Sequence, residues 1–141
     1  MNAKFFKAFA VTAAGAVALS PLAAMAAPVT LVATLSGAAE TSPGDPDGSG
    51  QFSVEIDADT GDFCYTLTGK ALDQVMAAHV HTGAAGTDGP PVVNLEMTSD
   101  ECIAVEPAVL KPIVDNPAGY YVNIHTGPFP KGAVRGQLAK K

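Results

Sequence analysis

The stretch Gln51-Phe52-Ser53-Val54-Glu55-Ile56-Asp57 alternates polar and apolar side chains without a break. A period of two puts Phe52, Val54 and Ile56 on one face of an extended chain and the polar residues on the other, a pattern no helix produces. Asp57-Ala58-Asp59-Thr60-Gly61-Asp62 then leads into a second extended run, Phe63-Cys64-Tyr65-Thr66-Leu67-Thr68. The spacing predicts an antiparallel hairpin, with Gly61 supplying the positive φ that its turn needs. Asp57-x-Asp59-x-Gly61 also carries two of the acids of a calcium loop, but it lacks the further ligands and the closing glutamate. A hairpin turn is the better account.

The rest of the chain follows the same alternation. Val29, Leu31, Ala33 and Leu35 share one face of a strand, and residues 40–50 are dense in turn formers. Further extended runs fall at residues 76–82, 92–97, 102–105, 120–126 and 133–138, separated by glycine- and proline-rich loops at 83–91 and 126–132. Val109, Leu110, Ile113 and Val114 repeat at helical spacing, and Pro112 limits that helix to a short piece. The expectation is an all-β fold, an antiparallel β-sandwich or Greek-key barrel of seven or eight strands, with one short helical segment near 107–116.

The chain opens with Lys4 and Lys7, an apolar run over residues 8–19, and Ala24-Met25-Ala26, the pattern of an export signal with an A-x-A cleavage site. We expect a signal peptide over 1–26 and one domain over 27–141. No stretch reads as a membrane span, and the product is expected in a periplasm or outside the cell. Losing Lys4 and Lys7 would leave 6 basic residues against 14 acidic ones, a net charge of −8. That balance argues against nucleic acid and anionic membranes as partners and favours cations. Cys64 and Cys102 are the only cysteines. In an oxidising compartment a disulfide is the economical reading, adding roughly 4 kcal/mol in the chain-entropy model; a thiolate-plus-histidine metal site is the other.

All three histidines lie in two of the strands. In the first, Met76, Ala78 and Val80 form an apolar row and leave His79 and His81 opposite. In the second, Tyr120, Val122 and Ile124 form the row and leave Tyr121, Asn123 and His125 opposite. Strand parity adds Arg135 and Gln137 from the last strand to the same outer face. Side chains two apart on a strand start about 6.6 Å apart, within reach of one ion bound at about 2.0–2.1 Å. A three-histidine site with copper, or zinc as the alternative, is one reading; imidazole suits either metal better than magnesium or calcium. A solvated sheet face is the other. The fourth position is open to Asp88, Glu101 or water. Arg135 is either an anion guide or the partner of a carboxylate. No motif for a nucleophile or a phosphate cradle is present, so no catalytic residue is assigned.

The runs Leu35-Ser36-Gly37-Ala38-Ala39-Glu40, Ala78-His79-Val80-His81-Thr82-Gly83, Gly89-Pro90-Pro91-Val92-Val93, Tyr121-Val122-Asn123-Ile124-His125-Thr126 and Val134-Arg135-Gly136-Gln137-Leu138 resemble the CHRD domain in order and spacing. The resemblance implies an extracellular binding domain, with a site at His79, His81 and His125 and an envelope or extracellular protein as a further partner. A more distant likeness is to Cu,Zn superoxide dismutase, which also combines an H-x-H strand, a later histidine and an arginine. Three histidines are too few for that family's full ligand set. The readings in order are a non-enzymatic metal-binding domain, a metal-free interaction module, and a superoxide-handling copper enzyme.

Overall fold

The computed structural model describes residues 26–141. The expected signal peptide therefore falls, apart from Ala26, outside the described residues. Nine strands follow in chain order: β1 (Val29–Ser36), β2 (Ser49–Asp57), β3 (Asp62–Lys70), β4 (Val75–Thr82), β5 (Pro91–Leu95), β6 (Thr98–Ala104), β7 (Tyr120–Thr126), β8 (Val134–Gln137) and the two-residue β9 (Ala139–Lys140). One helix, α1 (Pro107–Asp115), lies between β6 and β7. The fold is all-β, as the alternation predicts. None of the described helices is long and apolar enough to cross a membrane.

The strands form one antiparallel sheet in the order β5-β4-β7-β8-β1-β2-β3-β6, with β9 paired to β1. The two outermost strands, β5 and β6, are consecutive in sequence and are joined only by Glu96 and Met97. Two residues reach only a few ångströms each, so the sheet has to curl until its ends approach. The Tyr65 hydroxyl on β3 accepts a hydrogen bond from the Glu96 N–H at 2.8 Å and donates to Glu101 at 3.0 Å, which fastens that link.

Inside the curl lies one core. Leu31, Ala33 and Leu35 meet Phe52, Val54 and Ile56, then Phe63, Tyr65 and Leu67, and on the far side Ala78, Val80, Val122 and Ile124. Leu110 and Ile113 of α1 are fully buried and close one end. Pro107 opens that helix, where its missing N–H costs nothing, and Pro112 lies inside it. The β2–β3 turn is the expected hairpin: Gly61 has φ 90°, and Asp57 Oδ1 accepts the N–H groups of Asp59 and Thr60. That carboxylate caps its own turn. Cys64 and Cys102 face each other across β3 and β6 and are joined in a disulfide.

Candidate metal centre

The histidine face is built by β4, β7 and β8. Register pairs His79 with Asn123 and His81 with Tyr121, and sets His125 opposite Ala77, one step diagonal from His79. On the next strand Arg135 pairs with Asn123, and Gln137 with Tyr121. The seven residues assigned to one face by parity do share it. The three imidazoles converge, with ring centroids 5.3 Å apart for His79–His81, 5.2 Å for His79–His125 and 6.1 Å for His81–His125. One donor atom from each ring lies within 4.8 Å of the other two.

The hydrogen bonds divide each of two rings into a held side and a free side. His81 Nδ1 lies 2.8 Å from the Gly89 carbonyl, and His125 Nδ1 lies 3.0 Å from the Pro130 carbonyl. A carbonyl only accepts, so both rings carry their proton on Nδ1 and leave a lone pair on Nε2. His81 Nε2, His125 Nε2 and His79 Nδ1 are buried and have no hydrogen-bond partner. Buried polar atoms are ordinarily paired, and here three unpaired nitrogens belong to one cluster. Burial lowers the His79 and His81 pKa values, with the neighbouring rings adding to the effect. Both therefore favour the neutral form that binds metal.

Of the two readings of this face, a fully solvated exterior does not describe it, although His79, His125 and Gln137 remain half-buried. His81, Tyr121, Asn123 and Arg135 are all buried, Arg135 to 1 % exposure. Two loops cover them. Residues 83–90 fold across the face, held where Arg135 Nη2 donates to the Ala84 and Thr87 carbonyls, both at 2.9 Å. Residues 37–48 cover the β8 side, with the Asp45 N–H donating to the Ala133 carbonyl at 2.8 Å. The Thr41 hydroxyl joins the loops by donating to Asp88 at 2.7 Å. Gly89 lies so close to the Thr82 carbonyl that a β-carbon there would strike it. Parity identifies the face a side chain is on, but it carries no information about what a loop lays over that face.

Arg135 also sits on the Tyr121 ring, 3.5 Å from its centroid, and Tyr121 stacks on His81 at 4.9 Å with the planes 8° apart. Guanidinium, phenol and imidazole form one stack. The Arg135 Nη1 pairs with Asp88 at 3.2 Å, so the carboxylate partner is the alternative that holds. Gln137 Nε2 lies within 2.6–2.9 Å of the carbonyls of Gly83, Ala118 and Tyr120. Asp88 thus belongs to Arg135 and Thr41, and Glu101 to Tyr65. Neither carboxylate joins the three-histidine group, which corrects their suggested place as a fourth ligand.

Two residues matter here that sequence reading placed elsewhere. Glu40, assigned to a polar loop, is half-buried beside Asn123 and Arg135. Burial raises its pKa to about 7, although the Arg135 charge opposes the rise. The run ending in Glu40 was one of the motifs quoted above, and that was the available signal. Met76, assigned to the apolar row of β4, is 65 % exposed. Val75 and Ala77 face the consecutive residues Thr126 and His125, so Met76 is an extra residue in a β-bulge and leaves the row. Bulges re-aim side chains in this way, and alternation alone does not reveal them.

The sequence pattern of the CHRD domain matches residues 31–138, most of the chain. No curated protein matches it.

Proposed function

The chain belongs to the CHRD domain family, and from that premise we propose that it is an exported, non-enzymatic domain that binds one transition-metal ion, copper in preference to zinc, through His79, His81 and His125. A family of extracellular domains and a closed Cys64–Cys102 disulfide are consistent with export. The residence we propose is a periplasm or the cell exterior, reached after cleavage of residues 1–26.

One observation carries the reading: three imidazoles converge in one cluster, and each has a buried nitrogen without a hydrogen-bond partner. In a metal-free role they would be three unsatisfied polar nitrogens at a cost of about 1–3 kcal/mol each. Coordination would satisfy all three. The carbonyls of Gly89 and Pro130 act as outer partners that fix tautomer and ring orientation, as ligating histidines usually require. Tyr121, Asn123, Arg135 and Gln137 are positioning residues in this reading. They hold the His81 ring and the covering loop, while Arg135, spent on Asp88 and two carbonyls, is not free to steer an anion.

The test is metal titration of the chain beginning at Ala27, with and without His81→Ala. We expect one equivalent of copper in the parent chain and a loss of affinity of roughly a hundredfold or more in the variant. Equal stoichiometry and affinity in the two would rule out the site. Envelope-purified protein without stoichiometric metal, yet retaining a specific protein partner, would favour the interaction-module reading instead.

A further inference from the structure

Four methionines occur in the sequence, at positions 1, 25, 76 and 97. Among the described residues the exposed large apolar side chains are Met76 at 65 % and Met97 at 37 %. Both line clefts that pass His79. One cleft runs between Met76, His79, Glu96 and Met97; the other, of about 410 Å³, is bounded by Met76, His79, His125 and Pro130. Met76 and His79 are common to both.

Packing does not account for this position. Without its bulge, β4 would continue the row of Ala78 and Val80, at 3 % and 0 % exposure, and would bury Met76 with them. The bulge instead turns an apolar side chain into water, on the rim of a cleft shared with His79 and His125, and gives up the stabilisation its burial would supply. What the exposed position provides is chemical. A thioether is a soft, neutral donor on a chain with three rotatable bonds, and soft sulfur ligands select copper(I), whereas imidazole alone serves zinc and copper(II) as well.

We propose that Met76 is a fourth ligand specific to copper(I), swinging its Sδ into the cleft beside His79 and His125 to complete a three-histidine, one-thioether site. The inference rests on the histidine site proposed above and assigns the oxidation state that the site retains. Copper(II) and zinc would be held by the imidazoles, and Met76 would add affinity for the reduced ion alone. The open cleft is where this fourth ligand would enter.

The experiment compares the parent chain from Ala27, Met76→Leu and His81→Ala. Copper(I) is supplied anaerobically with ascorbate against a chromophoric copper(I) chelator, and copper(II) and zinc are titrated separately. Leucine preserves size and hydrophobicity while removing sulfur, and an exposed site tolerates the change, so folding is not at issue. We expect Met76→Leu to lose copper(I) affinity roughly tenfold or more while keeping copper(II) and zinc affinity. X-ray absorption of the copper(I) form should show a sulfur neighbour in the parent that is missing from the variant. If Met76→Leu binds copper(I) as tightly as the parent, with the same absorption spectrum, this inference is overturned and the histidine site stands. If the parent binds none of the three ions, or His81→Ala binds them all unchanged, the histidine site fails and this inference fails with it.

Discussion

Glu40 shows how one half-buried carboxyl sets a pH dependence. Its ordinary value of 4.5 is raised to about 7, chiefly by burial, with the Asp88 charge adding to the rise and Arg135 and Asn123 opposing it. Between those two values the folded chain holds a proton that the unfolded chain has released. The stability this group contributes is therefore complete below pH 4.5 and is lost as pH rises through 7. His79 and His81 act in the opposite sense. Burial lowers them from 6.5, so their contribution is present above that value and declines as pH falls. Comparison with a variant separates the two effects. Glu40→Gln cannot ionise, and in metal-free protein its melting temperature should gain on the parent as pH rises from 5 to 8, by on the order of 5 °C. A constant difference across that range would show that Glu40 does not titrate in it.

At the scale of elements, Arg135 is the side chain that makes the most hydrogen bonds to the loop over residues 83–90. Arg135 holds two of its carbonyls and Asp88, and the same loop carries the Gly89 carbonyl that orients His81. Arg135→Met keeps much of the volume and removes every donor. We expect it to cost about 2–4 kcal/mol, to speed amide exchange in residues 83–90, and to weaken metal binding without touching a ligand. Unchanged exchange in that loop would show that it is held by other means. This loop also marks the limit of what the sequence discloses. Alternation of period two is a property of local backbone geometry, so β2, β3 and the shared face of His79, His81 and His125 can be read directly. The burial of Arg135 depends on residues 83–90, which it bonds 47 to 51 positions away in sequence, and on residues 37–48, which lie further still. The Met76 bulge is set by pairing with β7, about fifty positions further along. Neither leaves a local trace.

The whole molecule is a sheet whose ends are brought together by Glu96 and Met97 and whose β3 and β6 are riveted by the disulfide. A chain this small has a limited core, and the cross-link matters accordingly. Replacing both cysteines, Cys64→Ser with Cys102→Ser, should lower stability by about 2–5 kcal/mol. Metal affinity measured on the folded fraction should be unchanged, because β4 and β7, not β3 and β6, carry the three histidines. Denaturant titration checks the first expectation and metal titration under native conditions the second. A large drop in affinity would tie the two ends of the sheet together.

If the histidines bind copper as proposed, the state of the disulfide bears on when the metal should be met. Reduced, Cys64 and Cys102 would offer two thiolates on neighbouring strands, and soft sulfur competes strongly with imidazole for copper. Oxidised, they offer none. A chain that closes its cross-link before it meets the metal leaves the histidines as the available nitrogen trap. A chain that meets copper first risks capturing it at the wrong end of the sheet. On the proposed metal-binding reading, oxidation would act as a checkpoint as well as a brace, clearing a rival site before the histidines are filled.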